Sequence, residues 1–230
     1  MKKPVVDYRE FRPSRLNEPR FSHLKLLLGW VVYFVFYFLT ENFIPVEKCH
    51  SMHSFVDDLI PFNEYFAIFY CLWYVLIFGS LLYYLLYDVE QFKKLQIFII
   101  VTQVIAMACY IIYPSRQDLR PDTFLRDNFF TDVMAFIYAF DTSTGVCPSL
   151  HVGYSLGVLS VTWKSKRFPK WGKALILLLV IMISLSTMFV KQHSFIDVLM
   201  ALPLGLIAEI ITYGGYWKEK FANMKKSKLA

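Results

Sequence analysis

His193 and Asp197 are four residues apart, a spacing that places both side chains on one face of a helix, one turn apart. Asp197 can then accept a hydrogen bond from one ring nitrogen of His193. That bond fixes the tautomer and leaves the other nitrogen free to attack an electrophile. The pattern indicates a nucleophilic histidine with its orienting carboxylate, and a purely structural hydrogen bond is the alternative interpretation of the pair taken alone.

A second group of reactive residues, Pro148-Ser149-Leu150-His151, opens an apolar segment. The free N–H groups at a helix N-terminus form a phosphate site, to which the hydroxyl of Ser149 can add a donor. His151 falls on the first turn, where it could protonate a leaving oxygen. Ser149 and His151 are therefore predicted to bind phosphate and to act as the general acid.

Three cations are predicted to lie on the same membrane face as these groups. Arg116 and Arg120 are four residues apart and suit a bidentate grip on phosphate, and Lys191 immediately precedes the His193 segment. Long basic side chains at a membrane edge also extend to the interface without any chemical role. We expect Arg120, Arg116 and Lys191 to bind phosphate, with this interfacial role as the alternative for the arginines.

The elements that position these residues are long apolar segments. The chain has 230 residues, of which 57% are hydrophobic and only 18% charged, against about 25% charged in ordinary soluble domains. Six segments qualify as membrane-spanning helices, at 26–44, 66–87, 95–115, 149–163, 174–190 and 195–217, although the fourth is short. The sequence predicts an all-α, polytopic membrane bundle of six transmembrane helices.

The orientation follows from the distribution of basic residues. Nineteen of the 24 Lys and Arg fall on one side, which marks that side as cytoplasmic and places both termini there. We therefore predict a cytoplasmic N-terminal segment (1–25), a membrane domain (26–217) and a cytoplasmic tail (218–230). The reactive groups are predicted to lie on the extracytoplasmic face of an integral protein of the plasma membrane. No basic stripe with stacking aromatics is present, so nucleic acid is not an expected partner; the oligomeric state stays open.

The longest outer connection contains a further apolar pattern. Aromatic and aliphatic residues recur at roughly helical spacing over 122–140, which predicts a helix lying in the outer interface, either as a lid or as a packed element. In another outer loop, Cys49, His50 and His53 supply only three local ligands, whereas a closed structural zinc site requires four. Neither a metal nor a cofactor is expected.

In order and topology, the three groups resemble the type 2 phosphatidic acid phosphatase superfamily. Its pattern is Lys-x6-Arg-Pro, Pro-Ser-Gly-His and Ser-Arg-x5-His-x3-Asp, and the matching residues here are Arg120-Pro121, Pro148-Ser149-x-His151 and Ser186-x6-His193-x3-Asp197. Three motif positions differ: Tyr113 replaces the Lys, Leu150 the Gly and Thr187 the Arg. These variants are similar to the branch that contains inositol phosphorylceramide and sphingomyelin synthases.

The resemblance implies a metal-independent double displacement on a lipid phosphate in the bilayer. His193 would be the nucleophile, Asp197 its orienting group and His151 the acid and then the base, while Arg120, Arg116, Lys191 and Ser149 would neutralise the phosphoryl oxygens. The expected activity is a phosphoric monoester hydrolase acting on a lipid monoester or diphosphate. A phosphotransferase that passes a phosphoryl-headgroup to an alcohol is the alternative, and a transporter with a His/Asp proton relay is a further one.

Overall fold

The computed structural model describes the backbone of residues 4–227 and the side chains of residues 4–220. The ends of the predicted cytoplasmic segments, residues 1–3 and 228–230, lie outside the described residues. In chain order the elements are α1 (Leu28–Phe43), β1 (His50–Ser51), α2 (Phe55–Leu59), α3 (Ala67–Tyr87), α4 (Val89–Ile112), β2 (Ser115–Arg116), α5 (Phe129–Phe140), α6 (Leu150–Lys164), α7 (Lys170–Phe189) and α8 (Phe195–Ser227). The two strands pair in parallel, with His50 opposite Ser115.

Five helical stretches are long and apolar enough to cross a bilayer: Ser22–Phe43, Glu64–Tyr87, Val89–Ile112, Lys170–Phe189 and Phe195–Lys220. They correspond to five of the six predicted spans. The fourth predicted span is helix α6, whose 15 residues make it shorter than the others. The described chain is thus mostly helical, with five candidate spans by length and composition.

Helix α6 lies in the middle of the bundle, where it packs against α3, α4, α7 and α8. Its buried residues face several directions, which is typical of a central helix rather than a surface helix. Gly157 permits the close contact with α4, because a Cβ atom at this position would lie 2.8 Å from Cδ1 of Phe98. Small residues allow helices in membranes to approach each other in this way. These contacts fix the position of α6, the helix that carries His151, at the centre of the bundle.

The helix predicted over 122–140 was wrong at its start. The structure begins α5 at Phe129, because Asn128 caps it: the side-chain oxygen of Asn128 accepts hydrogen bonds from the backbone N–H groups of Phe130 and Thr131. The apolar residues that precede Asn128 follow the helical spacing but lie in a loop. Helix α5 packs against α3 and leaves Phe129 and Phe136 exposed.

Candidate active site

The structure brings together the three residues predicted to do the chemistry. Nδ1 of His193 lies 3.3 Å from Oδ2 of Asp197, and Nε2 of His193 lies 3.2 Å from Nδ1 of His151. Because Asp197 is an acceptor, Nδ1 of His193 carries the proton, and Nε2 is left to accept from the Nδ1–H of His151. Asp197 and His193 are both buried, so this hydrogen-bonded series is shielded from bulk water.

Asp197 is positioned by the start of α8. Its Oδ2 accepts a second hydrogen bond from the backbone N–H of Ser194 at 2.8 Å, while the hydroxyl oxygen of Ser194 accepts from the backbone N–H of Asp197 at 3.3 Å. This reciprocal arrangement is a capping box. It fixes the carboxylate below the imidazole of His193, so the orienting group is also part of the helix cap.

The start of α6 is connected directly to the same turn of α8. Ser149 caps α6 through its side chain, which accepts from the backbone N–H of Val152, and its own N–H donates to the backbone oxygen of Asp197 at 3.0 Å. His151 follows on the first turn, where its ring lies 4.3 Å from that of Trp73 and 4.8 Å from that of Tyr70. Ser149 thus joins the starts of α6 and α8, and its side chain is buried at the helix cap.

The turn before His193 is a Schellman motif. Helix α7 ends with a hydrogen bond from the N–H of Gln192 to the oxygen of Thr187 at 2.9 Å, and another from the N–H of Lys191 to the oxygen of Met188 at 3.1 Å. Lys191 occupies the left-handed position with a φ of 51°, where glycine is usual. A residue with a side chain costs about 1 kcal/mol or more in this conformation.

The side chain of Lys191 faces the outer loop and not the histidines. Its ammonium group donates to the backbone oxygens of Asp57, at 3.1 Å, and Ile60, at the end of α2. Burial lowers the pKa of Lys191, which the nearby carboxylate of Asp57 partly offsets. In return, Oδ1 of Asp57 accepts from the backbone N–H of Phe195 at 2.7 Å. Helix α2 therefore holds both sides of the turn that carries His193.

Arg120 reaches the site through Gln192. Its guanidinium group donates to the backbone oxygens of Asp141 and Thr142, each at 2.8 Å, and to Oε1 of Gln192 at 2.5 Å. The guanidinium carbon lies 4.6 Å from the ring centroid of Tyr138. Gln192 is 3% exposed, and its amide nitrogen has no hydrogen-bond partner among the described residues. Arg120 thus holds the side-chain amide of Gln192 by its oxygen, and the amide N–H group remains available as a hydrogen-bond donor.

Arg116 lies elsewhere. It belongs to β2, and its Nε is 3.4 Å from a carboxylate oxygen of Asp118. It is not among the residues that line the cavity described below, and neither is Lys191. The structure therefore groups His151, His193 and Asp197 with Arg120 behind Gln192, whereas Arg116 and Lys191 contact other parts of the outer loops.

A cavity of about 330 Å³ opens in front of the histidines. Helices α1 and α3 supply an aromatic wall, and the loop after α5 supplies polar residues. The lining residues include Trp30, Tyr33, Tyr37, Trp73, Tyr74, Phe78, Tyr110, Phe140, Asp141, Thr142, Thr144, His151, Gln192 and His193. The cavity is large enough to hold part of a substrate molecule next to the imidazole of His193.

The sequence reasoning missed two residues that build the site. Gln192 lies within the recognised segment, but an amide next to a histidine has no spacing pattern that indicates a role. Asp57 had a detectable signal, because Ser54 and Asp57 have the spacing of a capping box before an apolar run, and the structure confirms that box. Its contact with α8, 138 residues later, has no local signal.

A family model described as the PAP2 superfamily matches residues 97–221, which include most of α4, all of α5, α6 and α7, and most of α8. Among solved structures, the crystal structure of LpxE from Aquifex aeolicus is similar, with 20% sequence identity and a TM-score of 0.49, over 78% of this chain and 93% of that chain. No curated protein matches the sequence.

Proposed function

Because this chain belongs to the PAP2 superfamily, we propose that it is an integral-membrane phosphatase that hydrolyses a lipid phosphate monoester or diphosphate through a phosphohistidine. The observation that carries the proposal is the hydrogen-bonded series of Asp197, His193 and His151 at the wall of one cavity. The three side chains supply the nucleophile, its orienting carboxylate and the acid that such a double displacement requires.

In the first half-reaction the phosphoryl group replaces the ring nitrogen of His151 as the partner of Nε2 of His193. The lone pair of Nε2 attacks phosphorus, and the bond between phosphorus and the lipid oxygen breaks. His151, in its protonated form, transfers a proton to the departing alkoxide and becomes neutral. Asp197 stabilises the positive charge that the imidazole of His193 gains on attack.

In the second half-reaction the roles reverse. Neutral His151 removes a proton from a water molecule, whose oxygen attacks phosphorus while the bond from phosphorus to Nε2 breaks. Inorganic phosphate leaves, and His193 regains its neutral form with the proton on Nδ1, held by Asp197. No metal takes part in either step, and the residues act by position and charge.

The phosphoryl oxygens need donors, since most catalysis of phosphoryl transfer is electrostatic. Gln192 lines the same cavity as His193 and its amide nitrogen has no partner among the described residues, so we assign this donor to a phosphoryl oxygen. Arg120 then acts as the cation behind Gln192, whose amide it orients. On this assignment the phosphate contact predicted for Arg120 runs through Gln192.

Replacing Gln192 by Glu tests this assignment. The carboxylate keeps the acceptor for Arg120 but removes the N–H donor and adds negative charge, so kcat/KM for lipid phosphate should fall by about 10²- to 10³-fold. Phosphate release measured in mixed micelles gives the number. Gln91→Glu, at the other end of the bundle in α4, is the matched control. A Gln192→Glu protein with unchanged kcat/KM would rule out the contact.

The proposal includes the topology. Helix α6 would be the fourth of six spans despite its short length. Both termini, with the basic segments 1–25 and 218–230, would be cytoplasmic, and the cavity would face outward at the plasma membrane. The supporting observations are the concentration of basic residues in the inner segments and the contacts of α6 with spans on several sides. Cysteine labelling of single sites in loops 45–65 and 164–173 would test the two sides.

A second candidate is transfer of the phosphoryl-headgroup to an alcohol. The wall of the cavity is largely aromatic, and such a surface favours an organic acceptor over an ordered water molecule. The chemistry of the first half-reaction is the same. Only the second acceptor differs.

Incubation of the purified protein with phosphate-labelled and headgroup-labelled lipids distinguishes the two functions. Labelled inorganic phosphate is the expected product of the phosphatase, and a new phosphodiester that forms only when an alcohol is added is the product of the transferase. If neither product forms with any lipid phosphate or phosphodiester, the proposed function is wrong.

A further inference from the structure

The charge around the cavity is unusual for a phosphate site. Asp141 lines the cavity, and Thr142 and Thr144, which also line it, donate to the carboxylate of Glu41. None of the lining residues in the described part of the chain is Lys or Arg. The cavity therefore presents the carboxylate of Asp141 to a bound substrate, and the carboxylate of Glu41 lies behind Thr142 and Thr144.

Neither carboxylate forms an ion pair with a described residue. Oδ1 of Asp141 accepts from the hydroxyl of Tyr37 at 3.3 Å, and Oε1 of Glu41 accepts from Thr144 at 2.9 Å. Arg120 is close enough to act on both charges, but its guanidinium group donates to backbone oxygens and to Gln192. Burial raises the pKa of Asp141 in spite of Arg120. A cation placed in the cavity would stabilise these carboxylates.

The wall next to these carboxylates is aromatic, and it includes Tyr37, whose hydroxyl donates to Asp141. Trp30 and Phe78, from α1 and α3, have ring centroids 6.2 Å apart, and Tyr33 stacks on Tyr37 at 5.8 Å. The indole of Trp73 lies beside His151, so the wall extends to the catalytic centre. Aromatic faces attract ammonium groups, and sets of such rings with acidic residues bind quaternary and primary ammonium ligands.

We propose that this cavity binds an ammonium group of the substrate, and that the substrate is a lipid phosphate with a cationic amine close to its phosphorus. The inference rests on the proposed function, because it requires the phosphate to lie at His193 and Gln192. The amine then lies against the aromatic rings and beside the carboxylate of Asp141, with the carboxylate of Glu41 behind the two threonines. Two lipid classes share this chemistry: long-chain amino-alcohol monophosphates, and phospholipids that have an amino-alcohol headgroup.

A matched pair of substrates tests the proposal. A long-chain amino-alcohol 1-phosphate and its N-acetyl derivative have the same phosphate monoester, but only the first has a cationic amine. We expect kcat/KM to be about tenfold higher for the amine. Glu41→Gln and Asp141→Asn should each reduce this ratio toward one, and the control Glu47→Gln, in an outer turn away from the cavity, should leave it unchanged. A ratio of one in the wild type, or a ratio unchanged in both variants, would overturn the inference.

The two lipid classes are separated by adding phosphatidylethanolamine to the same panel. Cleavage of the monophosphate alone identifies the amino-alcohol monoester as the substrate, and cleavage of phosphatidylethanolamine identifies the headgroup; both outcomes support the ammonium site.

A binding measurement makes the inference independent of turnover. The His193→Ala protein in detergent should bind phosphocholine about tenfold more tightly than methyl phosphate by calorimetric titration. Tighter phosphocholine binding without any phosphate release supports the site and refutes the phosphatase. Equal affinities, together with phosphate release by the wild type, support the phosphatase and refute the site.

Discussion

Replacement of His193 by Ala is expected to reduce kcat for lipid phosphate hydrolysis by at least about 10⁴-fold, because the step that forms the covalent intermediate loses its nucleophile. Wild-type protein quenched during turnover of a phosphate-labelled lipid should retain an acid-labile label on the chain, and the variant should retain none. Phosphate release and protein-bound label are measured on the same quenched samples.

The control for this substitution is His53→Ala. His53 is in an outer loop, partly exposed, and its ring nitrogen lies 2.8 Å from Asp58, so it shares the residue type and the side of the bundle but not the cavity. It should retain full activity. If His193→Ala, folded and extracted like the wild type, released phosphate at the wild-type rate from every lipid that the wild type accepts, the phosphohistidine mechanism would have to be abandoned.

The second large effect is expected at His151, and its size should depend on the leaving group. An alkoxide leaves poorly without a proton, so His151→Ala should lower kcat on a lipid phosphate by about 10³-fold, within the range for general acids. A nitrophenolate leaves without protonation. The same variant should therefore lose far less activity in the first half-reaction with a nitrophenyl phosphate, measured as the burst of nitrophenolate.

This comparison distinguishes the acid from a structural role. His151 packs against Trp73 and Tyr70, and a loss of packing would lower activity on both substrates equally. Equal losses on the lipid and on the nitrophenyl ester would show that His151 supports the site without transferring a proton.

The parts of the site that the sequence predicted are those with local signals. The four-residue spacing of His193 and Asp197 predicted that the two side chains meet, and the structure places them 3.3 Å apart, although α8 begins at Phe195 and His193 lies in the turn before it. The closeness of His151 to them was predicted from the shared membrane face, since apolar length and charge bias are strong signals of topology. Both signals come from general constraints, the geometry of the helix and the apolar interior of the bilayer, which apply to every membrane protein.

The remaining parts depend on contacts between segments that are distant in the chain. The position of Lys191 next to the His193 segment predicted a phosphate-binding cation, yet its ammonium group donates to backbone oxygens in and at the end of α2, over 130 residues earlier. Nothing near Lys191 indicates the left-handed turn that directs it there. The position of Arg116 is likewise set by the pairing of β2 with β1. A charge near a site is visible in the sequence, but its direction is set by the tertiary structure.

The level of His151 along α3 has a consequence for the depth of the proposed reaction in the bilayer. The indole N–H of Trp73 donates to the backbone oxygen of His151, which places His151 level with the seventh residue of α3. At 1.5 Å per residue, that level is about 9 Å inside the outer end of α3. On the proposed topology and function, a lipid would have to sink by roughly two helical turns to react, and its alcohol product would be released already among the acyl chains. Membrane thickness should then influence turnover, with thinner bilayers bringing the headgroup plane closer to the histidines.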